Sequence, residues 1–302
     1  MEILLGGGHF FEGARWHAGA WYVSDLYAHQ VLRITEDGKA EVFAQLATEP
    51  SGLGWLPNGE MLIVSMSDQR LLRRSLDGTI HLHADLSPYG RGWINDMAVD
   101  AEGRAFIGAF GFDLWGGAAP APGPIFRVDP DGTTATVAEG LLFANGMVIA
   151  PDGTTLIVAE SFGNRLSAFT IAPDGALTNR RIWAEFGPPP SWASIPDMLN
   201  EDYAPDGCAI DATGAVWSAD ALHNRVGRIA PPHADNGGEI LEQVSVPGEM
   251  GTYSCALGGA DGRTLLICSA PDFAHDRRAA KREAVLFIHR VSEPALGTIQ
   301  KG

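Results

Sequence analysis

Two stretches of the chain decide the fold: NGMVIAPDGTTLIVAE at residues 145–160 and DGCAIDATGAVWSAD at residues 206–220. Each opens on a polar residue followed by Gly, continues through a short apolar segment and a Gly-containing turn, and ends in a second apolar segment. Apolar segments rich in β-branched residues on both sides of such a turn predict a β-hairpin. A single hairpin is only marginally stable in water, so these hairpins need a core that they share.

The same cassette occurs six times along the chain. The six openings are Glu12-Gly13, Ser51-Gly52, Asn95-Asp96, Asn145-Gly146, Asp206-Gly207 and Ser254-Cys255. They are spaced by about forty to sixty residues, a period typical of propellers and solenoids. The sequence therefore predicts an all-β protein, a six-bladed β-propeller. The alternative is a β-sandwich in which the hairpins recur by coincidence.

Length and composition are consistent with one closed repeat domain spanning residues 1–302. The chain is 45% hydrophobic and contains 37 Gly among its 302 residues, which allows a large core with many turns. Six blades of about fifty residues would use the whole chain. The C-terminal segment Ala284–Arg290 predicts a strand, and Glu2–Leu5 could pair beside it and close the ring.

The formal net charge of −16 argues against nucleic acids and anionic membranes as partners, because both attract basic surfaces. A secretory signal and a membrane span are not visible in the sequence. The three cysteines, Cys208, Cys255 and Cys268, lie in apolar segments without metal-ligand spacing. These features favour a cytoplasmic protein that acts on a small molecule, and they leave the oligomeric state open.

The polar residues that open the cassettes predict a metal site. In a propeller the innermost strands begin around the central channel, so Glu12, Asn95, Asn145 and Asp206 would face one another, with Ser51 and Ser254. Two buried carboxylates repel each other and lose hydration, and a divalent cation would offset that cost. A set of oxygen ligands suits Ca²⁺, Mg²⁺ or Mn²⁺. The alternatives are a water-filled channel lined by polar side chains, or Asn and Asp capping the hairpin turns.

The sequence around these residues resembles the gluconolactonase/regucalcin (senescence-marker protein) family. The resemblance extends from about Phe11 to Ser269. It is carried by Glu12-Gly13 with Trp16, Pro50-Ser51-Gly52, Asn95-Asp96 with Asp100 and Gly103, Phe143-Ala144-Asn145-Gly146, Pro205-Asp206-Gly207 and Ser269-Ala270. The resemblance implies a six-bladed propeller with one divalent metal ion in its channel and an enzyme that hydrolyses lactones.

The resemblance also implies roles for individual residues. Glu12, Asn145 and Asp206 would bind the metal, with Ca²⁺ favoured and Mg²⁺, Mn²⁺ or Zn²⁺ as alternatives. Asn95 would lie beside the metal and hold the substrate or a water molecule, and Asp206 would also act as the general base. This assignment is chemically coherent, because a divalent cation polarises an ester carbonyl and a nearby carboxylate can accept the proton of the attacking water.

Departures from the family pattern concern the substrate. Trp93 occupies the position at which sugar-lactone members carry an Arg, and it offers an apolar face instead of a guanidinium. Asp113 lies near the place of an acidic substrate contact in those members. Phe110 and Phe143, together with Phe112, Trp115 and Trp192, add aromatic rings around the expected mouth. These residues favour a substrate less polar than a sugar lactone; the alternative is that the rings only pack two long loops, residues 111–123 and 187–204, onto the blades.

Other functions remain open at this level. The same metal site could serve phosphotriester hydrolysis, hydration or a ring-opening elimination, and a non-catalytic binding propeller is a further alternative. The chain has no Gly-x-Ser-x-Gly sequence around a serine, which argues against a serine-triad hydrolase. A histidine general base is also possible, and His9 is the nearest candidate.

Overall fold

The alternating apolar segments and Gly-containing turns form six antiparallel sheets of four strands each. The computed structural model describes residues 1–90, 92–232 and 238–296. Each sheet is one blade, and the predicted six-bladed β-propeller is confirmed. The last residues of the predicted domain, 297–302, lie outside the described residues.

The strands follow one another from the inside to the outside of each blade. The N-terminal strand is β1 (Glu2–Gly8). The first blade contains β2 (Phe11–His17), β3 (Ala20–Asp25), β4 (Gln30–Ile34) and β5 (Ala40–Gln45). The second contains β6 (Pro50–Trp55), β7 (Met61–Ser65), β8 (Arg70–Arg74) and β9 (Ile80–Asp85). The third contains β10 (Ile94–Val99), β11 (Ala105–Ala109), β12 (Gly123–Val128) and β13 (Thr134–Leu141).

The second half of the chain repeats this order. The fourth blade contains β14 (Ala144–Ile149), β15 (Thr155–Glu160), β16 (Arg165–Ile171) and β17 (Leu177–Glu185). The fifth contains β18 (Pro205–Ile210), β19 (Val216–Asp220), β20 (Arg225–Ile229) and β21 (Ile240–Ser245). The sixth contains β22 (Gly251–Gly258), β23 (Thr264–Ala270) and β24 (Ala284–Arg290).

The first and last strands of the protein lie side by side in the sixth blade. Strand β1 pairs antiparallel with β24, with Glu2 opposite Ile288 and Ile3 opposite Phe287. The blade therefore takes its outermost strand from the N-terminus and its other three strands from the C-terminal part of the chain. A pairing of this kind covers a sheet edge that would otherwise expose unpaired backbone groups.

Asp-Gly turns join the two outer strands in each of the first four blades. In the third blade Asp131 Oδ1 accepts a hydrogen bond from the Thr133 N–H at 2.9 Å. Gly132 follows with φ of +86°, a conformation that side chains rarely adopt. Asp77-Gly78 in the second blade is built the same way, with Asp77 Oδ1 accepting from the Thr79 N–H at 2.9 Å. Local turn chemistry thus sets the hairpin register.

The core lies between the blades. Strands β3, β7, β15 and β19 are buried along their full length, because both faces of each are covered by neighbouring blades. The side chains of Trp21 and Trp217 are 1% and 0% exposed, and they are among the largest that this packing buries. Cys208, Cys255 and Cys268 are buried free thiols, which agrees with their apolar surroundings in sequence.

Helices are short in the part of the chain that the structure describes. They are α1 (Ile195–Met198), α2 (His275–Ala280) and two single 3-10 turns, Leu26–Ala28 and Ser87–Tyr89. Within the described ranges no helix has the length and apolar character needed to cross a bilayer.

The charged segment at residues 276–283, DRRAAKRE, has the composition of a solvated loop, but it is partly helical and partly buried. Its first part is helical, and the Arg278 side chain is only 2% exposed. The Arg278 guanidinium forms ion pairs with Glu283 at 2.9 Å and with Asp272 at 3.3 Å. Burial of an arginine in this way requires charged partners. Glu283 ends the same segment, and Asp272 precedes it by four residues.

Candidate active site in the central channel

A break in strand register occurs at the start of the innermost strand of every blade. In β2 the regular pairing is interrupted between Glu12 and Arg15, and in β10 between Ile94 and Met97. The equivalent breaks in the other four blades lie at residues 50–53, 144–147, 205–208 and 252–254. A β-bulge redirects a side chain out of the alternating pattern. Each of the six breaks includes or borders one of the predicted channel residues.

The glycines that follow the channel residues allow the innermost strands to approach one another. A Cβ atom on Gly13 would lie 2.2 Å from the carbonyl oxygen of Ser51, and one on Gly146 would lie 2.4 Å from that of Asp206. Gly13 also has φ of +58°. In each of these polar-Gly pairs the polar residue places its side chain in the channel, and the glycine after it lets the strand contact the backbone of the next blade.

Four predicted residues line one cavity. Glu12, Asn95, Asn145 and Asp206 are each less than a tenth exposed, and all four contribute to its wall. The space between these residues, counted together with its open mouth, is about 630 Å³. The rest of its lining is mainly apolar. The structure thus brings together the four residues for which the sequence predicts the chemistry.

Serine hydroxyl groups orient the two carboxamides. Ser51 Oγ donates to Asn95 Oδ1 at 3.1 Å, which leaves the amide N–H groups of Asn95 available. Asn145 Nδ2 donates to Ser161 Oγ at 3.1 Å, which leaves the amide oxygen of Asn145 available. Ser161 Oγ in turn donates to the carbonyl oxygen of Pro205 at 2.8 Å. The two amides therefore present opposite chemistry: Asn95 presents donors and Asn145 presents an acceptor.

The two carboxyl groups are in an environment that opposes their ionisation. Burial raises the pKa of Glu12 well above its ordinary value, and the charges of Asp206 and Asp96 raise it further. Burial also raises the pKa of Asp206, with a further contribution from Asp96. Asp206 Oδ1 is buried and has no hydrogen-bond partner among the residues that the structure describes. A buried acceptor without a donor lowers the stability of the fold, and a bound cation or a proton on this oxygen would remove that cost.

Asp96 and Arg15 form an ion pair that sequence reasoning missed. Arg15 Nη2 lies 2.6 Å from Asp96 Oδ1, and the Asp96 side chain is only 3% exposed. The same guanidinium nitrogen donates to the carbonyl oxygen of Met97 at 2.8 Å. One signal was visible: the third cassette opens on Asn-Asp where four others open on a residue followed by Gly. A Cβ on Gly52 would lie 2.7 Å from Asp96 Oδ1, so the neighbouring glycine makes room for this carboxylate.

Aromatic rings form much of the apolar wall. Phe110 stacks on Phe143 with ring centroids 4.1 Å apart, and Trp115 stacks on Phe110 at 5.4 Å. All three rings line the cavity. Phe143 has φ of +67°, which is unusual for a bulky residue and is a form of strain found at functional sites. The predicted substrate contacts Phe110 and Phe143 are therefore both in the cavity wall.

Trp93 and Asp113, which the sequence predicts as substrate contacts, lie outside the cavity wall. The Trp93 ring is half-buried and stacks on Trp115 with centroids 5.0 Å apart, so it lies behind a ring that lines the cavity. Asp113 is exposed, and its Oδ1 accepts from the Gly116 N–H at 2.8 Å within the first long loop. Neither residue is among the described residues that form the cavity wall. His9, the alternative general base, is also outside that wall, and its backbone N–H donates to Asp25 Oδ1 at 3.0 Å.

Both long loops reach the cavity. The first contributes Leu114 and Trp115, and the second contributes Leu199 and Ala204. Trp192 Nε1 donates to the carbonyl oxygen of Phe162 at 2.9 Å, which fastens the second loop beside the cavity. The loops therefore complete the apolar part of the wall, while the bulged strands supply its polar part.

Comparisons with known proteins agree with this architecture. The 6-deoxy-6-sulfogluconolactonase of Pseudomonas putida is 27% identical over 252 residues, which cover 82% of this chain and 78% of that protein. A pentonolactonase of Haloferax volcanii is 30% identical over 177 residues, and this match spans 58% of the chain and about half, 53%, of that protein. The crystal structure of regucalcin, a calcium-binding protein from Agrobacterium tumefaciens, has a TM-score of 0.76 at 23% identity and covers 98% of this chain and 94% of that one.

The description of the matching family model is SMP-30/Gluconolactonase/LRE-like region, and the match runs from residue 10 to residue 271. It includes all six cassette openings, from Glu12 to Ser254, and both loops that reach the cavity. The resemblance found in the sequence is thereby confirmed, and the chain belongs to the SMP-30/gluconolactonase/LRE-like family.

Proposed function

We propose that this protein is a divalent-metal-dependent hydrolase that opens a lactone less polar than a sugar lactone. The observation that carries the proposal is the meeting of Glu12, Asn95, Asn145 and Asp206 in one largely apolar cavity. The relatives named as a sulfogluconolactonase and a pentonolactonase support lactone hydrolysis as the reaction.

The residues in the channel fit a hard divalent cation. Glu12 and Asp206 offer carboxylate oxygens, and Asn145 has its amide oxygen free because its nitrogen donates to Ser161. Asp206 Oδ1 is buried without a donor among the described residues. Oxygen ligands of this kind favour Ca²⁺, and Mg²⁺, Mn²⁺ and Zn²⁺ are alternatives. The Agrobacterium tumefaciens protein of similar fold is a calcium-binding protein.

When bound, the cation polarises the lactone carbonyl and lowers the pKa of water. Asp206 accepts the proton of the attacking water, since its carboxylate lines the cavity together with Asn95 and Asn145. Asn95 donates from its amide nitrogen to the substrate or the water, because Ser51 occupies its oxygen. The water oxygen bonds to the carbonyl carbon, the ring C–O bond breaks, and Asp206 returns the proton to the ring oxygen to give a hydroxy acid.

The apolar wall supports the preference for a less polar substrate. Phe110, Trp115 and Phe143 supply aromatic surface to the cavity, and Leu114 and Leu199 add aliphatic surface. A polyhydroxylated lactone would leave hydroxyl groups without partners against these rings, at a cost of about 1–3 kcal/mol for each group.

The test is hydrolysis of a panel of γ- and δ-lactones that carry hydroxyl, alkyl or aryl substituents. Activity should be lost on treatment with a chelator and return on addition of Ca²⁺ or another divalent cation. The product should be the hydroxy acid; an unsaturated acid would indicate elimination instead. Undiminished activity after complete removal of metal would contradict the mechanism, and metal binding without turnover would favour a binding protein.

A further inference from the structure

A groove adjoins the cavity and shares part of its wall. Ala221, Leu222, Tyr253 and Phe273 line both spaces. The groove lies between the fifth and sixth blades, encloses about 860 Å³ including its open side, and continues past residues 248–251. The two spaces are therefore adjacent, and these four side chains form the wall between them.

The shared wall is held in place by a buried carboxylate. Asp220 is fully buried, and its Oδ1 accepts from the backbone N–H groups of Ala204 at 3.1 Å and Leu222 at 3.2 Å. Its Oδ2 accepts from Arg225 Nε at 2.8 Å and lies 2.9 Å from His223 Nδ1. The turn that carries Leu222 is thus tied to the fifth blade and to the end of the second long loop, so this part of the shared wall is fixed before a ligand arrives.

Tyr253 forms the boundary between the two spaces. Its side chain is 3% exposed, and its ring packs on Phe10 with centroids 4.6 Å apart. A Cβ atom on Gly251 would lie 2.4 Å from the Tyr253 hydroxyl oxygen. Because residue 251 is a glycine, the Tyr253 hydroxyl group can pack directly against the backbone of β22.

The groove is lined by both apolar and polar side chains. Leu222, Met250 and Phe273 supply apolar surface, and Leu222 and Phe273 also line the cavity. Asp272 is paired with Arg277 at 3.1 Å and Arg278 at 3.3 Å, so its charge is balanced. Glu249 is exposed and has no ion pair among the residues that the structure describes. An occupant that ends in a carboxylate would be repelled there, whereas a neutral donor or a cation would be accepted.

From this shared wall and the apolar lining on both sides of it, we propose that the groove is a second substrate site and that the substrate is a lactone with a long, mainly apolar substituent. The lactone ring lies at the polar side chains of the cavity, and the substituent crosses the boundary at Tyr253 and ends near Glu249 in a neutral donor or cationic group. This inference rests on the proposed lactone hydrolysis and names the class of lactone.

The first experiment varies the length of the substituent. A series of γ-lactones with alkyl groups of increasing length is hydrolysed by the metal-loaded protein. We expect kcat/KM to rise by up to about fourfold for each methylene group that is buried, and to level off when the groove is filled. A value that peaks at the shortest substituents and falls thereafter would overturn the proposal.

The second experiment blocks the groove and leaves the cavity wall unchanged. Met250→Trp adds bulk to the groove at a residue that does not line the cavity. It should lower kcat/KM for the longest lactones by about tenfold, an effect of about 1.4 kcal/mol, and leave the unsubstituted lactone unaffected. The control Leu76→Trp adds the same side chain at a residue that is 76% exposed and lies outside the groove, and it should change neither substrate.

A charge variant provides a second test of the groove if Met250→Trp does not fold. Glu249→Lys, at an exposed residue, should shift the preference from substituents ending in an ammonium group toward those ending in a carboxylate, by about tenfold in the ratio of kcat/KM. An unchanged ratio in this folded variant would contradict the placement of the substituent.

Binding separates this inference from the proposed reaction. Lactams with the same alkyl groups resist hydrolysis, and their affinity can be measured by calorimetry without turnover. Affinity that grows with chain length and is lost in Met250→Trp would support the groove even if no lactone were hydrolysed, in which case only the proposed reaction fails. Lactone hydrolysis combined with lactam affinity that is independent of chain length would refute the groove alone.

Discussion

Asp206 is proposed both to bind the metal and to accept the proton of the attacking water. It is buried in the channel with one oxygen that lacks a donor among the described residues, and burial raises its pKa. Asp206→Asn keeps the volume of the side chain and removes both the charge and the proton acceptor. We expect a loss in kcat of at least about 10²-fold under saturating metal. Steady-state kinetics with metal titration measures this, and a kcat within a few-fold of the wild type would show that another group takes the proton.

Glu12 and Asn95 should differ in what they contribute. Glu12→Gln removes a ligand charge, so the metal affinity should fall first and excess metal should restore part of the activity. Asn95→Ala removes an amide that Ser51 turns with its donors toward the cavity, so metal affinity should stay nearly unchanged while turnover falls. Calorimetric titration with Ca²⁺ beside kinetics checks both. Equal losses of affinity in the two variants would make Asn95 a direct ligand.

Trp93 and Trp115 allow a direct test of which indole meets the substrate. Trp115 lines the cavity and Trp93 stacks behind it. Trp115→Leu should therefore lower kcat/KM for alkyl and aryl lactones by about tenfold, and Trp93→Leu by less, because only the first removes contact surface. Thermal melting of both variants controls for folding. The reverse order would support the direct contact of Trp93 that the sequence predicts.

At the scale of the strands, close packing around the axis depends on the glycine that follows four of the six channel residues. Gly13→Ala places a methyl group 2.2 Å from the carbonyl oxygen of Ser51, so the first two blades must separate. Gly19→Ala is the matched control, because Gly19 has φ of +79° and nothing lies within 4 Å of its Cβ position. Both variants carry the strain of a positive φ, of order 1 kcal/mol.

The difference between these two variants isolates the contact between blades. Gly13→Ala should be less stable than Gly19→Ala by at least about 2 kcal/mol, in the range of strongly overpacked sites. Urea denaturation of both proteins measures the free energy of unfolding. Equal stability of the two variants would mean that the inner strands can move apart without cost, and the account of the polar-Gly pairs would then be wrong.

At the scale of the whole molecule, buried carboxyl groups make stability depend on pH and on metal. The pKa values of Glu12 and Asp206 are raised in the folded protein, and burial raises that of Glu201 to about 9. In the unfolded chain such groups lose their protons near pH 4. As the pH rises above about 4, the unfolded state releases these protons first, so the folded state loses stability through the window up to about pH 9.

The melting temperature of the metal-stripped protein should therefore fall between about pH 5 and pH 9. Added Ca²⁺ should raise it, and the increase should grow with pH, because protons and metal compete for Glu12 and Asp206. Glu201→Gln should flatten the alkaline part of the decline and leave the effect of Ca²⁺ unchanged. Scanning calorimetry across this range is the measurement; a melting temperature that rises steadily to pH 9 without metal would contradict the prediction.

The sequence by itself determined the repeat, the hairpins and the identity of the channel residues. Asp-Gly turns and alternating apolar segments act over a few residues, so Gln30–Ile34 and Arg70–Ser75 could be predicted as strands. The structure has the first with the same limits and ends the second one residue earlier, at Arg74. The six cassette openings could be aligned because each blade repeats the same local pattern. Their convergence followed from the symmetry of a propeller.

Tertiary structure alone decided which side chains meet across the blades. The Arg15–Asp96 pair joins residues of the first and third blades, and the bulge in each strand sets where a side chain points. Trp93 stacks behind Trp115 because the first long loop folds over it. The groove at Tyr253 exists only where the fifth and sixth blades adjoin. Such contacts depend on the relative placement of distant segments, which local propensity and spacing do not encode.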